Sequence, residues 1–248
     1  SQNIAKPNAY LNLAAAESLD YVATELEKRL AKKKSLHDAI NEVVEEVLEE
    51  NQRVIWNGDN YTKEWHAEAE KRGLPNLKNT VDALAVLGDK DVVELFKKYK
   101  VLTPEDVAAR QVIAFEQYCK TINIEALQTA TIARQMILPA AMKYQKQVAD
   151  TIVASKAALK NASTAAAEGV LSELGELTGK LANAVESLEK AHEKADDHHG
   201  DPGTHAKAFR DKVIPAMNEV RVAADALEGV VDDALWPLPK YREMLFIY

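Results

Sequence analysis

Two runs of alternating three- and four-residue apolar steps dominate the second half of the chain. One passes through Ala167, Val170, Leu174, Leu177, Leu181, Ala184, Leu188 and Ala191. The other passes through Phe209, Val213, Ala216, Val220, Ala223, Leu227, Val230 and Ala234. A mean period of 3.5 keeps one stripe of a helix turned toward a partner helix, and the two-residue period of a strand cannot reproduce it. Between the runs lies Asp196-Asp197-His198-His199-Gly200-Asp201-Pro202-Gly203, a polar loop on its turn chemistry. Two such helices joined by a short loop predict a long antiparallel, coiled-coil-like hairpin.

A third long helix is predicted ahead of them. Thr103-Pro104-Glu105-Asp106 offers a cap, a proline in the first turn and two carboxylates at the positive helix end. No strong stop follows until about Asn161, and Leu138, Ala141, Val148, Ile152 and Leu159 supply apolar contacts. Pro139 costs a backbone hydrogen bond there, so a kink is expected. Ile137-Leu138-Pro139-Ala140-Ala141-Met142 is echoed by Val213-Ile214-Pro215-Ala216-Met217, and convergent packing of kinked helices explains the echo as well as duplication does. The fold class is all-α, a helical bundle with at most one short strand near 53–56.

The first hundred residues are less regular. Leu11, Ala15, Leu19, Val22, Leu26 and Leu30 mark one face of a helix opened near Pro7 and Asn8. The basic cluster Arg29 to Lys34 reads as its solvated end. Ser35 caps a second helix with the stripe Leu36, Ile40, Val43, Val47 and Leu48, whose Glu42–Glu50 run reads as a solvated face. Arg53-Val54-Ile55-Trp56 is β-branched and aromatic, the short strand allowed above, with Asn57-Gly58-Asp59-Asn60 as a turn. Thr62 to Arg72 is helical, stopped at Gly73. Thr80 and Asp89 look like caps of two short helices.

Composition narrows the function classes. Apolar residues are 47% of 248, aromatics only 6%, and the net charge is −8. That suits packed helices and disfavours a nucleic-acid surface. One cysteine, Cys119, allows neither an internal disulfide nor a thiolate zinc site, and its apolar neighbours predict a buried, inert thiol. No run is long enough to span a membrane and no signal pattern opens the chain, so the cytoplasm is the expected compartment. With Ser1 in place of an initiator methionine, the chain reads as a fragment or a processed product.

Catalytic motifs are not found: the nine glycines form no phosphate loop and no serine sits in a nucleophile elbow. The one metal-like feature is His192, His198, His199 and His205 with Asp196, Asp197 and Asp201 around the expected hairpin tip. Gly200 and Gly203 loosen that loop, so it is read as solvated polar chain rather than a metal site. No catalytic, cofactor-binding or metal residue is assigned.

One stretch is more specific. Val54-Ile55-Trp56-Asn57-Gly58-Asp59-Asn60-Tyr61-Thr62-Lys63-Glu64-Trp65, continued by Glu68-Ala69-Glu70-Lys71-Arg72-Gly73-Leu74-Pro75-Asn76-Leu77-Lys78, resembles the post-catalytic region of type III glutamine synthetases. The resemblance extends through Ile122-Asn123-Ile124-Glu125-Ala126-Leu127 and Ile137-Leu138-Pro139 to Trp236-Pro237-Leu238-Pro239-Lys240-Tyr241, while 145–235 matches only as long helices. It implies four parts: 1–50, terminal helices of a truncated catalytic domain; 51–102, a turn-rich segment; 103–235, the long-helix bundle; 236–248, a tail. It also implies a parent enzyme that joins ammonia to glutamate through a γ-glutamyl phosphate, using ATP and Mg or Mn, in a ringed homo-oligomer. This stretch alone is expected to be inactive and to bind neither ATP nor metal, its partners being the rest of the subunit and neighbouring subunits. The competing reading is a free-standing helical scaffold or adaptor, which accounts for the heptads but not for Trp56 to Lys78.

Overall fold

The computed structural model describes residues 4–197 and 200–245, and among these there are helices and turns but no strand. The chain divides into two units, residues 1–111 and 112–248.

In the first unit α1 spans Ala5–Ala31, α2 Leu36–Glu50, α3 Lys63–Lys71, α4 Thr80–Ala85 and α5 Lys90–Lys98. Helix α6, Pro104–Ile132, begins in this unit and continues into the second. Leu13, Phe96 and Val107 form a buried cluster, with the Tyr10 ring edge-on to Phe96 at 5.6 Å. Over its first half α1 therefore turns inward a face other than the expected one, since Leu11 and Leu19 are 69% and 71% exposed, while Val22 and Leu26 of the expected stripe are half-buried. Both faces of α1 carry apolar residues, and periodicity alone does not say which one meets α5. Arg29 also departs from the solvated reading: its guanidinium bonds Glu25 at 2.7 Å and reaches Glu46 and Glu42 on α2, while Lys34 pairs with Glu42. Part of the acidic run is thus the tie between α1 and α2.

Local chemistry sets the helix ends. Ser35 Oγ accepts the Asp38 N–H at 3.2 Å. Thr103 Oγ1 accepts the Asp106 N–H at 3.2 Å while Asp106 accepts the Thr103 N–H at 3.1 Å, a reciprocal cap of the kind the four residues predicted. Helix α4 is capped by Asn79, which accepts from Asp82 N–H at 3.0 Å, one residue before the expected Thr80.

In the second unit α6 passes through a π turn, Ala133–Ile137, straight into α7, Leu138–Ala158. After α8, Ala165–Asp196, the chain returns through α9, Pro202–Ala208, a second π turn, Phe209–Val213, and α10, Ile214–Glu228; α11 is Tyr241–Leu245. Each π turn ends two residues before a proline, Pro139 or Pro215. A proline ring clashes with the carbonyl four residues back, here Gln135 and Asp211, and bonds neither. Widening the turn that holds that carbonyl lets the helix run on, so the sequence echo marks one device used twice.

Helix α8 lies against both α7 and α10. Its buried stripe is Leu174, Thr178, Leu181, Val185 and Leu188. The expected seam shares Leu174, Leu181 and Leu188, but Leu177, Ala184 and Ala191 are only half-buried. A helix with two neighbours buries a wider arc than a two-helix seam, which brings Thr178 and Val185 inside. From the second run Phe209, Val213, Val220, Ala223 and Leu227 are buried, whereas Ala234 is exposed and Val231 is buried beyond the end of α10. Cys119 is buried among these helices, and its burial pushes the thiol pKa up, as an inert cysteine requires.

Candidate functional site

The irregular segment between α2 and α4 is a built object. Val54 N–H bonds Asn51 C=O at 3.0 Å and Ile55 N–H bonds Gln52 C=O at 3.1 Å, so Gln52–Val54 is a 3₁₀ turn followed by extended Ile55. The short strand allowed at 53–56 is not formed. With no neighbouring strand to pair with, its carbonyls turn to Arg72, whose Nη1 donates to Ile55 O at 2.8 Å and Arg53 O at 3.4 Å.

Arg72 is the node of the segment. Its guanidinium carbon lies 5.6 Å from the Trp56 ring and 5.7 Å from the Trp65 ring, and the two indoles pack at 5.2 Å with 33° between planes. Nε donates to Glu68 Oε1 at 2.6 Å, which holds the Glu68 carboxyl below its ordinary pKa. One planar cation therefore joins two aromatic faces, two backbone carbonyls and a carboxylate, which a lysine cannot do. Gly58 lies so close to Trp56 that a Cβ there would stand 2.6 Å from Nε1, and the indole N–H is buried without a hydrogen-bond partner.

The turn above the indoles is equally fixed. Asp59 Oδ1 accepts the Tyr61 N–H at 2.8 Å, Thr62 Oγ1 donates to Asp59 O at 3.1 Å, and the same oxygen accepts Trp65 N–H to cap α3. At the far end Gly73 has φ +73°, and Leu74 N–H reaches back to Ala69 O at 2.9 Å, closing α3 as the sequence predicted. The result is a platform of Trp56, Trp65 and Arg72 that presents Tyr61, 93% exposed, on a rigid turn.

The histidines are placed differently. His192 pairs with Asn123 of α6, and the rings of His192 and His205 lie 6.2 and 5.1 Å from Phe209. They are packing partners of that buried ring. Asp201 caps α9, accepting Thr204 N–H at 2.8 Å; Asp196 ends α8 and Asp197 follows it. His198 and His199 lie outside the described residues, and among the described ones no three potential ligands gather around a common point. What sequence reasoning missed is Arg72 as organiser: Glu68 and Trp65 lie within two turns of it, but Arg53, Ile55 and Trp56 are 16 to 19 residues away and no local pattern announces them.

The described residues are all-helical, and the first unit carries a turn-rich aromatic node that a simple coil would not have. The family model for the glutamine synthetase C-terminal domain matches residues 39–156, which include the whole platform. The chain is 33% identical over its full length to a type-3 glutamine synthetase of Dictyostelium discoideum. It is also 32% identical over 85% of its length to a glutamine synthetase of Butyrivibrio fibrisolvens, and 26% over 99% to one of Bacteroides fragilis. The chain belongs to the glutamine synthetase family, as its C-terminal region. It spans about a third of the length of these relatives, 34%, 30% and 34%.

Proposed function

We propose that this chain is a non-catalytic assembly region of a type III glutamine synthetase, docked on the rest of its subunit and on neighbouring subunits of a homo-oligomer. The observation that carries the reading is the platform. A turn fixed by Arg72, Gly58 and Asp59 presents an almost fully exposed tyrosine, and ordering so many groups is worthwhile where a partner surface receives them. Exposed Leu11 and Leu19 on α1 support the same reading, since apolar side chains along a helix ask for a cover.

The complete polypeptide would join ammonia to glutamate with ATP and a divalent cation, in the cytoplasm, as part of nitrogen metabolism. The described residues do not fit that metal. No three potential ligands converge, and the carboxylates of Glu17 and Asp20 are taken up by Lys98 and Tyr99. Phosphoryl-transfer chemistry needs several ligands gathered on the cation, and their lack of convergence among the described residues supports assigning that chemistry, in this reading, to polypeptide outside this chain. The four-part division, the coiled-coil character of the α8–α10 hairpin and the bundle's place between subunits belong to the same proposal.

The test is glutamine formation by this chain and by a longer polypeptide that carries the region preceding Ser1. Activity is expected only in the longer one. Glutamine formed by the 248 residues alone overturns the reading.

A further inference from the structure

Asn57 is one of thirteen asparagines in the chain and the one that a glycine follows. With Gly58 it forms an exposed bend between the 3₁₀ turn and α3. Both flanks of this link are tied. On one side Arg72 donates to Ile55 O at 2.8 Å and covers the Trp56 ring. On the other, Asp59 accepts the Tyr61 N–H at 2.8 Å and the Thr62 hydroxyl at 3.1 Å. Between them, among the described residues, no hydrogen bond holds the Asn57 carboxamide or the Gly58 N–H. Other asparagine carboxamides are occupied: Asn51 donates to Val47 O at 2.8 Å, Asn79 accepts from Asp82 N–H at 3.0 Å, and Asn123 pairs with His192.

Gly58 removes the remaining obstacle. Without a Cβ its backbone turns freely, and its nitrogen can approach the neighbouring carboxamide unhindered. The packing keeps this position a glycine, because a Cβ would stand 2.6 Å from Trp56 Nε1 and 2.9 Å from Cε2. The contact that seats the indole therefore leaves Asn57 open to attack from its own chain.

We infer that Asn57 is a site of self-modification, and that the isoaspartate formed there releases the platform. The Gly58 nitrogen bonds Asn57 Cγ as the Cγ–Nδ2 bond breaks. The proton of the Gly58 N–H leaves with the ammonia, and a succinimide ring remains. Water then opens the ring at either carbonyl. Opening at Cγ leaves aspartate in an ordinary main chain; opening at the main-chain carbonyl leaves isoaspartate, with the chain running through Cβ and Cγ. One water is consumed and one ammonia released, with no oxidation or reduction.

Isoaspartate lengthens the link by one C–C bond, about 1.5 Å. Ile55 and Asp59 are both held and no space separates Gly58 from the indole. The added atom is therefore taken up by moving Trp56 or the turn that carries Tyr61. Aspartate adds charge but no main-chain atom, and leaves both in place. The reaction needs no partner, so it is independent of the assembly reading.

The test ages the whole chain at mildly alkaline pH, where the attacking nitrogen loses its proton more readily, and digests it with trypsin. The peptide 54–63, cut after Arg53 and Lys63, should exchange NH2 for OH at Asn57 before any other asparagine reacts, with fragment masses separating it from Asn60. A link that nothing holds should react within about tenfold of its rate in the urea-unfolded chain. Isoaspartate, titrated with a protein isoaspartyl methyltransferase, should accumulate in step with a red shift of tryptophan emission. Asn57→Gln, whose longer side chain closes a ring far more slowly, should show neither change on ageing, and fresh Asn57→Asp should keep the parent emission. Slower reaction at Asn57 than at another asparagine, or protection by folding of more than about tenfold, overturns the site. Isoaspartate without a red shift, or a red shift already present in fresh Asn57→Asp, overturns the release.

Discussion

Thr178 offers the sharpest test of the packing. Three other threonines in these helices donate to the carbonyl one turn back: Thr121 to Gln117 at 2.9 Å, Thr129 to Glu125 at 2.7 Å and Thr151 to Gln147 at 2.8 Å. Thr178 lies in the buried stripe of α8, 7% exposed, and its hydroxyl has no partner. A buried hydroxyl left unsatisfied costs about 1–3 kcal/mol. Thr178→Val keeps the β-branch, so helix propensity and volume change little, and it adds a buried methyl of about 0.8 kcal/mol. Allowing for imperfect fit, the variant should be more stable by about 1–2 kcal/mol. For a unit of this size that is a rise in Tm of about 3–6 °C. Urea unfolding followed by circular dichroism at 222 nm, with an unchanged m-value, measures it. Thr178→Ser keeps the hydroxyl and loses the methyl, and should fall about 1 kcal/mol below the parent. If the valine variant unfolds before the parent, the hydroxyl is bonded after all and the argument fails.

Arg72→Lys should release both indoles, red-shifting tryptophan emission and costing about 1–2 kcal/mol in stability. The structure leaves open space where a Cβ would stand at Gly179 in α8, so Gly179→Ala should add about 0.5–1 kcal/mol, read as a higher urea midpoint. Tyr99, which donates to Glu17 at 2.6 Å and Asp20 at 2.7 Å, is pushed up to about 12 by burial and by those carboxylates, from an ordinary 10.0. A raised pKa means that its contribution is whole below pH 10 and is lost as pH rises toward 12. The spectrum of the parent minus Tyr99→Phe at 295 nm should therefore ionise late, and Glu17→Gln should bring it earlier. Glu17 and Asp20, held low by Tyr99 and Lys98, give the opposite limb, with their contribution lost as pH falls below the ordinary carboxylate range.

The helices were legible because their signals are local. Ser35, Thr103 and Gly73 act within one turn of themselves, and each does in the structure what its chemistry predicts. What was not legible depends on distant partners. The stripe on α1 was read through Leu11 and Leu19, but the neighbour that fixes the inward face is α5, some eighty residues on, where Phe96 meets Tyr10. The strand expected near 53–56 failed for the same reason, because β-propensity only becomes a strand when another strand is present to pair with it. Pro139 was correctly seen to break a backbone bond, yet nothing local says whether the helix bends or widens into a π turn.

These limits explain why the platform is the most legible part of the family resemblance. A helix between two neighbours accepts Leu, Val, Ala or Thr wherever volume and spacing allow, so many sequences build the same α8–α10 pair. The platform accepts few. Gly58 admits no Cβ beside Trp56, Gly73 needs a positive φ, and position 72 needs a planar cation long enough to reach two carbonyls while covering two rings. The family match covers residues 39–156, the platform together with α6 and most of α7, and stops short of α8.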